Sequence, residues 1–224
     1  MYKKKCTFAQ ILQKLNREDM QITSSILANT TRLVIFDLDG TLYSKKGMML
    51  RMICAAPLDG VKMLADRITR RRLRGIYLQD ETAFYEMYFQ TMASYCKQSP
   101  VQLRDWYFGR YLPLMVEVIG ANYKPVGWLS SFVSICKERN IRLVVLSDYS
   151  YTHEKLHALG IDNQQFDLVI SAPELGGLKP APQLLSEVAG RFAIRPDECL
   201  VIGDRDDTDG QLARAGGARF WLVQ

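Results

Sequence analysis

Five short runs of apolar, largely β-branched residues punctuate the chain: RLVIFD (32–37), IRLVVLS (141–147), FDLVIS (166–171), CLVIGD (199–204) and ARFWLV (218–223). Half-buried strands alternate apolar and polar residues, whereas continuous runs of this kind belong to strands covered on both faces. From the second run onward the intervening segments repeat apolar residues at helical spacing. In GWLSSFVSICKERN, Trp128, Phe132, Ile135 and Cys136 share one face, and in QLLSEVAGRF, Leu184, Leu185 and Val188 do the same. This alternation predicts an α/β fold built on a parallel sheet.

Between the first and second runs lie about a hundred residues, far more than one crossover helix needs. The pattern there predicts an inserted helical domain. Val61, Leu64, Ala65 and Ile68 recur at helical spacing and mark one expected apolar face. ETAFYEMYFQTMASYC carries Phe84, Tyr88 and Tyr95 beside Tyr85, Phe89, Met92 and Cys96, an apolar face broad enough for a helix packed inside a small bundle. Core packing, not base stacking, is the expected use of these rings. Ahead of the first strand, Phe8, Ile11, Leu12 and Leu15 suggest an amphipathic helix that docks on the main domain or on a second subunit. The expected division is a helical extension at 1–30, a helical insertion at 43–124 and a core formed by 31–42 with 125–224.

Composition changes this picture little. With 224 residues, 48% hydrophobic and 24% charged, the chain has enough material for a full core and a second unit. The net charge of +5 is concentrated in Lys3-Lys4-Lys5 and in RITRRRLRG, which carries Arg67, Arg70, Arg71, Arg72 and Arg74. A solvated helix face accounts for both runs better than a nucleic-acid or membrane patch does. The five cysteines (Cys6, Cys54, Cys96, Cys136 and Cys199) form no CxxC pair, which predicts reduced thiols and a cytoplasmic protein. Gln10, Gln13 and Lys14 interrupt the apolar stretch a signal peptide needs,. No run approaches the ~20 apolar residues of a membrane span.

Parallel sheets carry their sites at the carboxyl ends of the strands. There the first run delivers Asp37 and Asp39, two apart and expected on one side, followed by Gly40 and Thr41,. The second run ends in the hydroxyl of Ser147. The loop SAPELGGLKPAP brings Lys179, and the fourth run ends in Asp204, first of four aspartates in GDRDDTDG. A complete EF-hand is excluded, because the closing glutamate position counted from Asp204 is Ala215,. One hydroxyl, one ammonium and several carboxylates suit an oxyanion substrate held by lysine, hydroxyl and Mg²⁺, with a carboxylate nucleophile.

In order and spacing, DLDGT, VVLSD, GLKP and GDRDDTD resemble the four motifs of the haloacid dehalogenase superfamily, from about Arg32 to the end of the chain. The resemblance implies a Rossmann-like core with an inserted helical cap of the C1 type. It also implies Mg²⁺-dependent hydrolysis of a small phosphorylated metabolite, as in phosphoglycolate phosphatase-like members. In that scheme Asp37 is the nucleophile that becomes an aspartyl phosphate. Asp39 serves as acid and then base, with its backbone carbonyl on Mg²⁺, and Thr41 helps fix it. Ser147, the next backbone N–H and Lys179 hold the phosphoryl oxygens. Asp204 binds the metal directly and Asp209 supports it, while Asp206 and Asp207 are local to a helix start. Asp39 favours phosphate chemistry over dehalogenation. Asp148 stands where many relatives have asparagine, adding a negative charge beside the substrate.

Two rivals remain at this level: a β-phosphoglucomutase-like phosphotransferase using the same groups, and a non-catalytic protein whose basic residues meet nucleic acid or acidic lipid. The complete motif set argues against the second. HEKLH, His153 to His157, matches a zinc-protease pattern but contains both histidines of the chain,. A solvated turn of the crossover helix is the expected reading. The cap arginines are placed where they could reach an anionic substrate.

Overall fold

The computed structural model describes residues 26–223. The expected amphipathic helix around Phe8 to Leu15, together with Cys6, lies outside them. Five strands form one sheet: β1 (Leu33–Phe36), β2 (Arg142–Ser147), β3 (Leu168–Ser171), β4 (Cys199–Gly203) and β5 (Arg219–Leu222). All neighbours pair parallel in the order β3-β2-β1-β4-β5. The chain builds outward from β1 on one side and then returns to its other side. This places a topological switch at β1, where the carboxyl ends of neighbouring strands leave a crevice.

Side chains alternate between the two faces. Phe36 packs edge-on against Phe132 and Phe166 on one face, while Leu33 and Ile35 join Leu184, Leu185 and Val188 on the other. Both faces are buried, which is why the strands read as unbroken apolar runs.

The insertion between β1 and β2 holds helices α1 (Met48–Ala55), α2 (Gly60–Arg72), α3 (Glu81–Ala93), α4 (Pro100–Trp106) and α5 (Leu112–Asn122). Helix α6 (Leu129–Glu138) leads into β2. Helix α7 (Thr152–Ala158) follows β2, α8 (Pro182–Gly190) precedes β4, and α9 (Gln211–Gly216) precedes β5. The aromatic segment packs as expected: Phe84, Tyr85, Tyr88, Phe89 and Met92 are buried on α3. The helix stops at Ala93, leaving Tyr95 and Cys96 outside it.

Helix α2 forms where its spacing places it but turns a different face inward. Val61, Leu64 and Ile68 are 67, 57 and 37% exposed, and the buried side carries Met63, Ala65, Asp66, Thr69 and Arg70. A polar core explains the rotation. Arg70 pairs with Asp66 at 3.2 Å, and Asp66 also accepts from the hydroxyls of Tyr88 and Tyr111. A buried charge is tolerated when paired and hydrogen-bonded in this way.

Arg70 also joins the insertion to the sheet. It donates to the backbone oxygen of Asp148 at 2.6 Å, and its guanidinium lies 3.6 Å from the centre of the Tyr149 ring. Nearby, Leu78 N–H donates to Gly176 O at 2.8 Å and Leu178 N–H to Ile76 O at 3.0 Å. This short antiparallel contact braces the loop that carries Lys179.

Candidate active site

Asp37 continues the β1 ladder, its N–H donating to Ile202 O at 2.8 Å. The chain then turns at Gly40, where φ is +111° and a Cβ would sit 2.4 Å from Oδ2 of Asp204. Only glycine meets both demands. At the end of β4, Gly203 likewise leaves room for Asp209, whose carboxylate would lie 2.4 Å from an added Cβ. Two missing side chains thus let three acids crowd together. Single oxygens of Asp37, Asp204 and Asp209 lie within 4.8 Å of one another.

The two carboxylates of DLDGT take separate partners. Lys179 Nζ donates to Asp37 Oδ1 at 2.6 Å, to Asp209 Oδ1 at 2.7 Å and to Leu146 O at 3.2 Å. Thr41 Oγ1 donates to Asp37 Oδ2 at 2.9 Å. The sequence reading assigned Thr41 to Asp39, but the turn after β1 folds its hydroxyl back onto Asp37. Asp39 instead accepts from Tyr43 OH at 2.6 Å, Ser147 Oγ at 3.0 Å and Lys155 Nζ at 2.9 Å. Ser147 Oγ also accepts the Tyr149 N–H at 3.0 Å.

Burial alone would raise the Asp39 carboxyl, yet the Lys155 ammonium and the donors Tyr43, Lys155 and Ser147 hold it below its ordinary value. Burial works against the Lys179 charge, and the Asp209, Asp37 and Asp148 carboxylates overcome it, keeping the ammonium well above the usual lysine range. For Asp209, burial pushes the carboxyl upward and Lys179 opposes the rise. Burial also raises Asp148. Its Oδ1 accepts the Lys179 N–H at 3.1 Å, which ties Asp148 to the lysine loop.

Lys155 escapes a reading of the sequence. It lies inside HEKLH, expected to be a solvated turn, and His153 and His157 are indeed exposed. Lys155 itself is 0% exposed. The signal was available: Thr152, Lys155, Leu156 and Leu159 are all buried and follow helical spacing,, so the lysine falls on the apolar stripe.

The aspartates of GDRDDTDG divide. Asp204 and Asp209 face the site, whereas Asp206 pairs with Arg214 at 2.8 Å. Asp207 pairs with Arg205 at 2.6 Å and with Arg74 of the insertion at 2.8 Å, so it is also a clasp between insertion and core. Among the metal candidates, the carboxylates of Asp37, Asp204 and Asp209 form the cluster. Asp39 contributes its backbone oxygen to this region, where Lys45 Nζ meets it at 2.7 Å. An all-oxygen set of carboxylates and a carbonyl matches a hard cation such as Mg²⁺.

Residues 31–217 match the haloacid dehalogenase-like hydrolases. A glyceraldehyde 3-phosphate phosphatase of Methanopyrus kandleri is 41% identical over 64 residues, 29% of this chain and 27% of that protein. The chain therefore spans about a quarter of that relative. The Methanothermobacter thermautotrophicus protein of the same name is 25% identical over 205 residues, covering 86% of this chain and 85% of that one. The fold is similar to that of the Bacillus subtilis HAD-hydrolase YfnB, described with bound magnesium, at a TM-score of 0.61 and 12% identity over 86% of this chain and 88% of that chain.

Proposed function

The chain belongs to the haloacid dehalogenase-like hydrolases, and we propose that it is a Mg²⁺-dependent phosphatase of small organic phosphate monoesters, working through an aspartyl phosphate on Asp37. The observation that carries this reading is the separate partnering of two carboxylates: Asp37 held by Lys179 and Thr41, Asp39 held by Lys155, Tyr43 and Ser147. One acid is oriented as a nucleophile and the other is equipped to move protons.

An oxygen of Asp37 attacks phosphorus as the bond to the leaving alkoxide breaks, and Asp39 gives that alkoxide its proton. Water then attacks the phosphoryl group of the aspartyl phosphate. Asp39, held below the ordinary carboxylate range, takes the water's proton, phosphate departs and Asp37 is regenerated. That proton passes to solvent, and Asp39 takes one up again beside the next bound substrate before it protonates the alkoxide. Lys179 neutralises the phosphoryl oxygens, the N–H after Ser147 donates to them, and the Ser147 hydroxyl turns from Asp39 to the same oxygens when substrate is bound; such positioned charge supplies most of the catalysis in phosphoryl transfer. Asp37, Asp204 and the Asp39 carbonyl would hold Mg²⁺, backed by Asp209, and the cation would add its charge against the same oxygens. Cys54, Cys96, Cys136 and Cys199 are free thiols, which suits a reducing cytoplasm. Among the described residues no helix is long and apolar enough to cross a membrane.

With Mg²⁺ present, the purified protein is expected to release inorganic phosphate from p-nitrophenyl phosphate and from small phosphometabolites. Asp37→Asn is expected to lower kcat/KM at least about a thousandfold while the circular dichroism spectrum stays native. Activity retained in Asp37→Asn, or turnover only with a sugar bisphosphate primer, would overturn the reading.

A further inference from the structure

Resting on the phosphatase reading, we infer that the substrate carries a second anionic group at the far end of an apolar body. A cavity of ≈ 680 Å³ lies over Asp37 and beneath α2. A space in this range receives a whole small organic molecule, not a phosphoryl group alone. Its lining combines acids and lysines of the core, arginines of α2 and a group of methionines. At the floor, Asp37, Asp39, Asp204 and Asp209 are opposed by Lys45 and Lys179. The cap side presents Arg67, Arg70, Arg71 and Arg74, residues that fall near one face of a helix.

These arginines are not equivalent. Arg70 is buried and committed to Asp66 and to the Asp148 carbonyl. Arg74 is paired with Asp207. Arg72 does not line the cavity. Arg67 and Arg71 line it, are exposed, and have no ion pair among the described residues. One helical turn apart, they offer two forked sets of donors, the geometry that suits a carboxylate or phosphate.

The cavity is also lined by Met48, Met49 and Met52 of α1 and by Met115 of α5. Thioether side chains are apolar, flexible and polarizable, so they accept an alkyl or aromatic body without demanding one shape. A second anion is repelled by the floor aspartates and attracted by the two unpaired guanidinium groups. The phosphoryl group belongs over Asp37, the hydrocarbon along the methionines and the second anion at Arg67 and Arg71.

Non-hydrolysable alkylphosphonates test this without turnover. Chains of one to six methylenes ending in methyl, carboxylate or a second phosphonate are titrated calorimetrically against the protein with Mg²⁺. At one preferred length the anionic chain is expected to bind about tenfold tighter than its methyl counterpart, the scale of one charge-assisted contact. The tighter of the two anions identifies the natural group. Arg67→Gln/Arg71→Gln should reduce that preference to about twofold or less, whereas Arg72→Gln should retain it. Equal or tighter binding of the methyl chains, absence of binding by every chain, or a preference that survives the double substitution would overturn the inference. Phosphate release from p-nitrophenyl phosphate is scored separately. Turnover without an anion preference defeats only the substrate class, and an anion preference without turnover defeats only the phosphatase reading.

Discussion

The Lys45 ammonium stands 2.7 Å from Oδ2 of Asp204 and 2.7 Å from the backbone oxygen of Asp39. One positive charge thereby bridges two oxygens proposed to hold Mg²⁺. Cation binding has to compete with it. Lys45→Met is expected to tighten Mg²⁺ binding about two- to fivefold, the range set by a partly exposed ion pair. The same variant should melt at a lower temperature in EDTA, where the acids lose their counter-charge. Calorimetric titration with Mg²⁺ checks the first expectation, and an unchanged dissociation constant would show that the ammonium does not compete.

Lys155 and Asp39 form a buried pair whose halves depend on each other. Lys155→Met leaves a carboxylate without its main counter-charge, a loss of about 3–5 kcal/mol for a buried pair. Asp39→Asn in the same chain removes the stranded charge. The double variant is therefore expected to be more stable in urea than Lys155→Met alone. A double variant that is no more stable would assign the cost to packing of the lysine stem.

The acids after β4 are expected to separate by function. Asp204→Asn should weaken Mg²⁺ binding at least about tenfold, a scale on which even outer residues of metal sites act. Asp206→Asn, which only frees Arg214 at the surface, should change affinity less than about twofold. Asp207→Asn should release Arg74 and raise KM more than it changes Mg²⁺ affinity. Equal losses of Mg²⁺ affinity in Asp204→Asn and Asp206→Asn would contradict this division.

Asp59 gives the insertion a pH dependence of its own. It is 4% exposed and pairs with Lys62 at 2.7 Å and with Arg110. Burial raises its carboxyl, but hydrogen bonds from Lys62 and Arg110 outweigh it and hold the group below its ordinary value. A carboxyl lowered on folding adds stability that is complete above the unfolded pKa, about 3.9, and is lost as pH falls through the lower folded value. Asp59→Asn should therefore cost about 1–3 kcal/mol at pH 7, and the difference should close as pH falls below about 4. Melting temperatures measured across that interval check it; a gap independent of pH would exclude the charge as its source.

The sheet and the strand-end motifs were legible because both rest on strong local signals: unbroken apolar runs, and polar residues placed where those runs stop. Asp37, Asp39, Ser147, Lys179, Asp204 and Asp209 all meet around the crevice for that reason. The pattern failed where polar residues turn inward. On α2, apolar spacing pointed to Val61, Leu64 and Ile68, yet Asp66 and Arg70 are buried because tyrosine hydroxyls and a backbone carbonyl satisfy them. Lys155 was missed for the same cause: its partner Asp39 comes from another strand end, and periodicity carries no information about long-range partners. Thr41 was misassigned because the turn at Gly40 decides which carboxylate its hydroxyl meets.

The parallel order of the sheet also sets a sequence in time. Strand β1 is central, and Leu33 pairs with Arg142 on one side and Cys199 on the other. During synthesis β1 leaves the ribosome before either neighbour exists, while the helical insertion that follows can form from local contacts. Asp37 is thus among the first site residues to be made, yet its ladder is completed only when β4 arrives. A truncated or stalled chain would carry Asp37 without the Lys179 loop or the Asp204 strand, so half-made protein holds no assembled site.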